Sequence, residues 1–358
     1  MSGAEALEFR YWNELPDHLK MNVLHYLPFP TLRHFMFLNR KSYSLASVVK
    51  SKVLVVRLVD SPYVRETSSE ESIIKLLIIW SRSSTKKGLN QDNAYCMSFV
   101  DDGKGGCFLK RLRDKETSIS ANTVHYNTDP ESAALNVFFR LTESLKCEKI
   151  CVLLRDMKPS TGRLLSSKPS TTLLICDSFK LVTEDPRLAS VFVRYLIPGC
   201  SLEFHSSLLC GQVKTSTDTA FFNTNVVRFA PSLITEWKMA ATDDHIVQLH
   251  AHTFSMKTPG VTSRGINQLL MEWFYGRRQI SCVIFEEIQD ADWKKILGKL
   301  KYYRELIVEE LIDVVSEKRL LKKNPMFGFE LRSSNNGVLW LIMTGNCCML
   351  TDTSTQGF

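Results

Sequence analysis

The sequence predicts an α+β or α/β protein: a three-helix N-terminal module, then an alternating βα domain with a curved, leucine-rich-repeat-like sheet. Three observations predict it. Apolar residues fall at helical spacing in three short segments between residues 9 and 52. From about residue 130, helix-like and strand-like segments alternate, which implies a largely parallel sheet with right-handed crossovers. The strand-like segments start at 150, 171, 201, 225, 245 and 280, leaving room for a helix and two turns in each gap. The leucine consensus of a leucine-rich repeat is absent, so the array is repeat-like only, and a closed doubly wound sheet is the alternative.

The N-terminal segments come first. Pro16 suits a helix start, where the first N–H groups have no intrahelical acceptor. Asp17 favours the positive end of the helix dipole. Leu19, Val23, Leu24 and Leu27 are read as one apolar face. Pro28 and Pro30 stop the helix. Thr31 starts a second segment whose stripe is Leu32, Phe35 and Phe37 or Leu38. Asn39 or Ser42 caps a third, with Tyr43, Ala46 and Val49 as its apolar side. Three helices in about 40 residues bury little core, so the module is expected to lean on the rest of the chain or on another protein.

This stretch resembles an F-box. The family pattern is Leu-Pro, a helix with a hydrophobic pair and a terminal Leu, an apolar Leu-x-x-Leu segment, then Val-Asn/Cys-Arg/Lys-x-Trp. Leu15-Pro16, Leu24, Leu27, Leu32, Phe35 and Leu38-Asn39-Arg40 align with it without a gap. The Trp position falls on Ser42, beside Tyr43. The resemblance implies a partner, the Skp-family adaptor, and through it the cullin and RING subunits of an SCF ubiquitin ligase. Leu15, Pro16, Leu24, Leu27, Leu32, Phe35, Leu38 and Tyr43 are the adaptor-binding residues it implies. The chain would be a non-catalytic substrate receptor without a cofactor, its protein substrate unknown. A scaffold that binds the adaptor outside a functional ligase is the alternative, and an enzyme with an unrecognised site is a third reading.

Composition agrees with a packed protein: 44% of residues are apolar and 10% aromatic. No apolar run reaches about 18 residues, so no membrane span is expected. Ten cysteines are present without a Cys-x-x-Cys pair, as expected of buried thiols in a reducing, cytoplasmic or nuclear compartment. The net charge of +7 is mild and unclustered, which argues against nucleic-acid binding. The basic cluster at 318–323 reads as a solvated helix end.

Further along, 53–58 reads as a strand, 72–80 as a buried helix, and 95–100 with 107–112 as a hairpin over the turn Asp101 to Gly106. No P-loop pattern follows those glycines. The expected helices are 132–144, 187–196, 231–239, 263–275, 290–300 and 302–315. Strands are expected at 150–154, 171–176, 201–204, 225–229, 245–249 and 280–285. Residues 327–332 and 338–343 form a closing hairpin around Asn336-Gly337. The expected division is a module at 9–52, a connecting strand, helix and hairpin at 53–130, a substrate-binding αβ domain at 131–350, and a frayed tail at 351–358.

A second resemblance lies within about 200–300. Trp237-Lys238 and the run from Thr262 to Gly276 are similar to nematode F-box-associated domains, of type 2 or the related FTH type. Their pattern is Ser/Thr-x-x-x-Leu-Asn-x-Phe-Leu-x-x-Trp-x-x-Gly, and Leu269 stands at the Phe position. It implies target binding but assigns no substrate residue.

Catalytic and metal signals are weak. His245, His250 and His252 near Asp243 and Asp244 are read as a polar strand face, not a zinc set. Cys200, His205 and Cys210 lack a further ligand pair. Glu286-Glu287 reads as surface or cap, and no nucleophile elbow or dinucleotide fingerprint occurs. Trp237, Trp273 and Trp340 are read as core, with recognition anchors as the alternative.

Overall fold

The structure, a computed structural model, describes residues 12–36, 38–60, 73–80, 94–112, 124–169, 171–206, 215–298, 300, 303–307 and 326–352. The expected loops at 61–71 and 81–92, the basic cluster at 318–323, Cys210 and the tail beyond Asp352 lie outside them. Internal contacts divide the chain into two units, one of Met1–Leu58 and Glu70–Glu148, the other of Val59–Ser69 and Lys149–Phe358.

The first unit opens with α1 (Asp17–His25), α2 (Phe29–Met36) and α3 (Arg40–Val48). A meander follows: β1 (Ser51–Asp60), β2 (Ile73–Ile79), β3 (Ala94–Asp101), β4 (Cys107–Leu112) and β5 (Val124–Tyr126), hydrogen-bonded in that order. Helix α4 (Pro130–Thr142) packs against β2 and β3. It begins with Asp129 accepting from the Ser132 N–H at 3.0 Å and with Pro130 in its first turn.

The helix expected at 72–80 is strand β2. Ile74, Leu76 and Ile78 are fully buried, while Ile73, Lys75 and Leu77 on the other side are half-buried, a period of two. A short, nearly unbroken apolar run does not separate strand from buried helix by pattern, and isoleucine tips the balance to strand.

The expected hairpin is β3–β4, with Asp101 opposite Cys107. Its turn is organised by Asp102. One carboxylate oxygen accepts from the N–H groups of Lys104 and Gly106 at 2.7 and 2.8 Å; the other lies 2.7 Å from His125 Nε2 on β5. Gly103 and Gly105 take φ of 69° and 89°, which glycine adopts without strain. The His125 hydrogen bond, then that from Lys104, holds the Asp102 carboxyl down at about 2, against an ordinary value of 3.8. A lowered carboxyl stabilises the fold above its ordinary value and loses that contribution as pH falls through about 2. We therefore expect wild type to melt above Asp102→Asn at pH 5, with the gap closing as the pH approaches 2. Parallel melts at pH 5, 4, 3 and 2 measure it; a pH-independent gap rejects the carboxylate as its source.

The second unit takes over within β6 (Leu145–Leu153) and continues with α5 (Pro159–Ser167), β7 (Cys176–Thr183), α6 (Arg187–Val193), β8 (Ser201–Ser206) and the short β9 (Thr215–Ser216). A 3-10 turn (Thr219–Asn223) leads to α7 (Asn225–Arg228), β10 (Ser232–Met239), α8 (Asp243–Gln248), β11 (Thr253–Lys257), α9 (Ser263–Phe274), β12 (Cys282–Glu286) and α10 (Trp293–Leu297). Strands β13 (Tyr303–Glu305), β14 (Met326–Arg332), β15 (Val338–Thr344) and β16 (Cys347–Asp352) close the chain.

Strands β7, β8, β10, β11 and β12 are parallel neighbours in chain order. Antiparallel β16, β15, β14 and β13 extend the sheet beyond β12. The alternating βα reading is thus observed as a mixed sheet with an antiparallel end.

Several expected elements are displaced. The strands expected at 225–229 and 245–249 are the one-turn helices α7 and α8, and the helix expected at 231–239 is β10. In β10, Leu233, Thr235, Trp237 and Met239 are buried and the residues between them are not. The strand expected at 171–176 gives a single bridge, Leu174 to Leu196, and β7 begins where it was expected to end. In place of the start of the helix expected at 302–315, Tyr303–Glu305 is strand β13.

The core lies on the inward side of the parallel strands. Phe179 packs on Phe192 of α6 with ring centroids 5.6 Å apart, and Phe204 on Phe221 and Trp237 at 5.5 and 5.9 Å. The run from Thr262 to Gly276 is structural. Asp243 accepts from the N–H and hydroxyl of Thr262 at 2.8 and 2.7 Å, and Asn267 donates to the Ile296 carbonyl at 2.6 Å. A Cβ at Gly265 would lie 2.4 Å from Asp243 Oδ1, so glycine permits that approach.

Candidate docking surface on the N-terminal helices

The three helices enclose a small core of Leu24, Leu32, Met36, Leu45, Ala46 and Val49, with Trp12, Met21, Leu27 and Phe35 against it. Trp12 meets Phe35 edge-on at 5.5 Å. Asn39 caps α3, its side chain accepting from the Ser42 N–H at 2.8 Å. Ser42 is buried beside that cap. Burial, then the nearby charge of Arg140, lowers the Arg33 guanidinium from its ordinary range.

Helix α1 turns a different face inward from the one expected. Leu24 is 1% exposed, whereas Leu19 and Val23 are 40% and 44% exposed. Lys20 takes the inward position beside Leu24. Its ammonium donates to the Asn13 carbonyl at 3.3 Å and lies 3.5 Å from Asp17. Positions 20, 24 and 27 form one stripe and 19, 23 and 26 the next, about one residue's rotation away. Lysine's long stem fills apolar space while its head keeps polar partners, so the inward stripe contains a charge that hydropathy assigns outward.

The eight expected contact residues therefore divide. Pro16, Leu38 and Tyr43 are exposed; Leu15, Leu27 and Phe35 are half-buried; Leu24 and Leu32 belong to the core. Sequence reasoning missed Tyr26 and Val48, exposed at 88% and 68%, and placed Leu19 and Val23 inward. The 19–23–26 spacing was the available signal.

In the second unit, the strand face opposite the core is polar. Lys149 and Lys180 lie 3.1 and 3.5 Å from Glu203, and His205 Nδ1 lies 2.9 Å from Glu236. Burial raises the Glu203 carboxyl, but the Lys149 hydrogen bond and the surrounding cations outweigh it, leaving the group below its ordinary range.

The remaining candidates are dispersed. His245 sits on α8 and stacks on Phe222 at 5.4 Å, and burial lowers it. His250 stacks on Phe229 at 4.8 Å in the connection before β11, where His252 also lies, so the expected polar strand face does not form from these histidines. Among the described residues, no three His, Cys, Asp or Glu side chains are grouped to hold a metal ion. Glu286 is on β12, and the next helix is capped by Asp292. Trp237 and Trp273 are buried, and Trp340 is half-buried against the cluster of Leu306, Ile342 and Met349. No helix among the described residues is long and apolar enough to cross a membrane.

Three short helices in this order, the third capped by Asn39, surround this core and carry the Leu15-Pro16 opening and the Leu38-Asn39-Arg40 segment. Residues 12–54 match the F-box domain. F-box domains bind Skp1 in SCF complexes and generally belong to non-catalytic adaptors. No curated protein and no solved structure matches the chain. The F-box thus accounts for the first three helices among the described residues, with the Asn39 cap and the buried Ser42 at its third helix.

Proposed function

We propose that this chain is the substrate-recognition subunit of an SCF-type ubiquitin ligase. The observation that carries the reading is the exposed apolar set on the F-box: Leu19, Val23, Tyr26, Leu38, Tyr43 and Val48. Single exposed apolar residues are ordinary, but six on a module of about 40 residues favour a protein partner. In this reading the Skp-family adaptor covers them together with Leu15 and Pro16. Leu24 and Leu32 act by shaping the helices that present them.

In this reading adaptor binding lies at 9–52, a connector at 53–130 and target binding at 131–350, whereas the compact units divide at Glu148, after α4. The target-binding region is a nematode-type F-box-associated domain, with parallel strands β7 to β12 as a repeat-like curved array. Ubiquitin transfer belongs to the RING-bound conjugating enzyme, and the protein acts in the cytoplasm or nucleus.

The test is a binding measurement between the full chain and purified Skp adaptor, beside the double variant Leu15→Ala, Pro16→Ala checked by circular dichroism. Wild type is expected to bind, and the folded variant to lose about tenfold or more in affinity. A wild type that does not bind removes the proposal.

A further inference from the structure

We propose that Cys176 and Cys200 form a reversible disulfide when the protein meets hydrogen peroxide. The two sulfurs lie 3.5 Å apart. Cys176 opens β7, and Cys200 immediately precedes β8. These strands are paired in parallel, with Ser178 opposite Ser201, and the Leu174 to Leu196 bridge ties their approaches together. The two thiols are thus held together by the ladder on one side and by the bridge on the other.

A disulfide needs its sulfurs at about 2.05 Å, so the pair must close by about 1.5 Å, within reach of side-chain rotation and a small strand adjustment. Burial selects the oxidant. The residues are 3% and 1% exposed, which admits a water-sized peroxide during brief openings and excludes a bulky disulfide reagent.

The chemistry balances. One cysteine sulfur, as thiolate, attacks a peroxide oxygen. The O–O bond breaks, the sulfur becomes a sulfenic acid, and the departing hydroxide leaves as water with the thiol's proton. The second sulfur attacks the sulfenic sulfur, the S–OH bond breaks, and the hydroxyl leaves as a second water with the second thiol's proton. Two electrons pass from the sulfur pair to the peroxide, and a dithiol reverses the bond by exchange. The product closes the β7–α6–β8 unit into a loop with its ends 24 positions apart.

The experiment uses the full chain in its native state. It is treated with hydrogen peroxide, blocked with N-ethylmaleimide, digested without reductant and read by mass spectrometry. We expect a Cys176–Cys200 linked peptide as the main disulfide product, removed by dithiothreitol and absent from Cys176→Ser and Cys200→Ser. The oxidised protein is expected to melt roughly 5–10 °C higher than the reduced one. Protein unfolded in urea, treated identically, is expected to lose the preference for this pair. The proposal is overturned if native protein yields both cysteines as separate maleimide or sulfinic-acid peptides, or if unfolded protein gives the same pairing. The wild-type comparison stands even where a serine variant fails to fold.

Discussion

Trp237→Ala is expected to lower the stability of the second unit by about 3–5 kcal/mol, the range for removing a large aromatic ring from a packed core. Trp237 is 1% exposed on β10, and its ring lies 5.9 Å from that of Phe204. Phe204 also meets Phe179 and Phe221 at 6.4 and 5.5 Å, so the cavity would open beneath three strands at once. Single domains are typically stable by about 5–15 kcal/mol, so the loss takes a large share of the margin. Trp237→Phe is expected to lose well under half as much. The indole Nε1 has no hydrogen-bond partner among the described residues, so phenylalanine keeps most of the packing and breaks no such bond. Urea unfolding followed by hydrogen exchange across β10 to β12 gives both values. An alanine variant within 1 kcal/mol of wild type would contradict the packing described, whatever the phenylalanine variant does.

The second large effect separates two adjacent residues. Leu24→Ala is expected to destabilise the F-box by about 2–5 kcal/mol, because Leu24 is one of six residues in a small core. Adaptor binding would then be lost together with helicity. Val23→Asp is expected to change stability by no more than about 0.5 kcal/mol, since Val23 is exposed, yet to weaken adaptor binding by about tenfold or more. A carboxylate placed under an apolar partner surface must be desolvated without a partner of its own. Calorimetric titration with the Skp adaptor, paired with circular dichroism, distinguishes the outcomes. Unchanged affinity in Val23→Asp would move docking away from the Leu19–Val23–Tyr26 stripe and toward Leu38, Tyr43 and Val48.

The N-terminal module was readable because its punctuation is local. Pro16 and Asn39 set helix starts and Pro28 follows the end of α1 through neighbouring backbone groups alone, whereas Pro30 lies in the first turn of α2, which begins at Phe29 and not at the expected Thr31. Its inward face was less readable, because Lys20 is buried through the Asn13 carbonyl and Asp17. In the βα region, α4, α6 and α9 carry enough turns to show their period. One-turn helices such as α7 carry too few, and Val226-Val227 there reads as strand by residue type although both side chains are buried in a helix. A strand reading at 225–229 in turn makes 231–239 the helix expected after it, where β10 lies. The candidate surface is half legible: Leu15, Pro16 and Leu38 follow from the family pattern and Tyr43 from its place beside the family's Trp position, whereas Tyr26 and Val48 are distinguished by exposure.

The parallel strands lie side by side in the order in which the chain makes them, from β7 through β8, β10 and β11 to β12. In such a layout each βα unit touches mainly its predecessor and its successor. Deleting or duplicating one unit lets the flanking strands meet with their direction unchanged and without rethreading a connection. A sheet built this way is open to growth by tandem duplication, so its width is set by how many units the gene encodes.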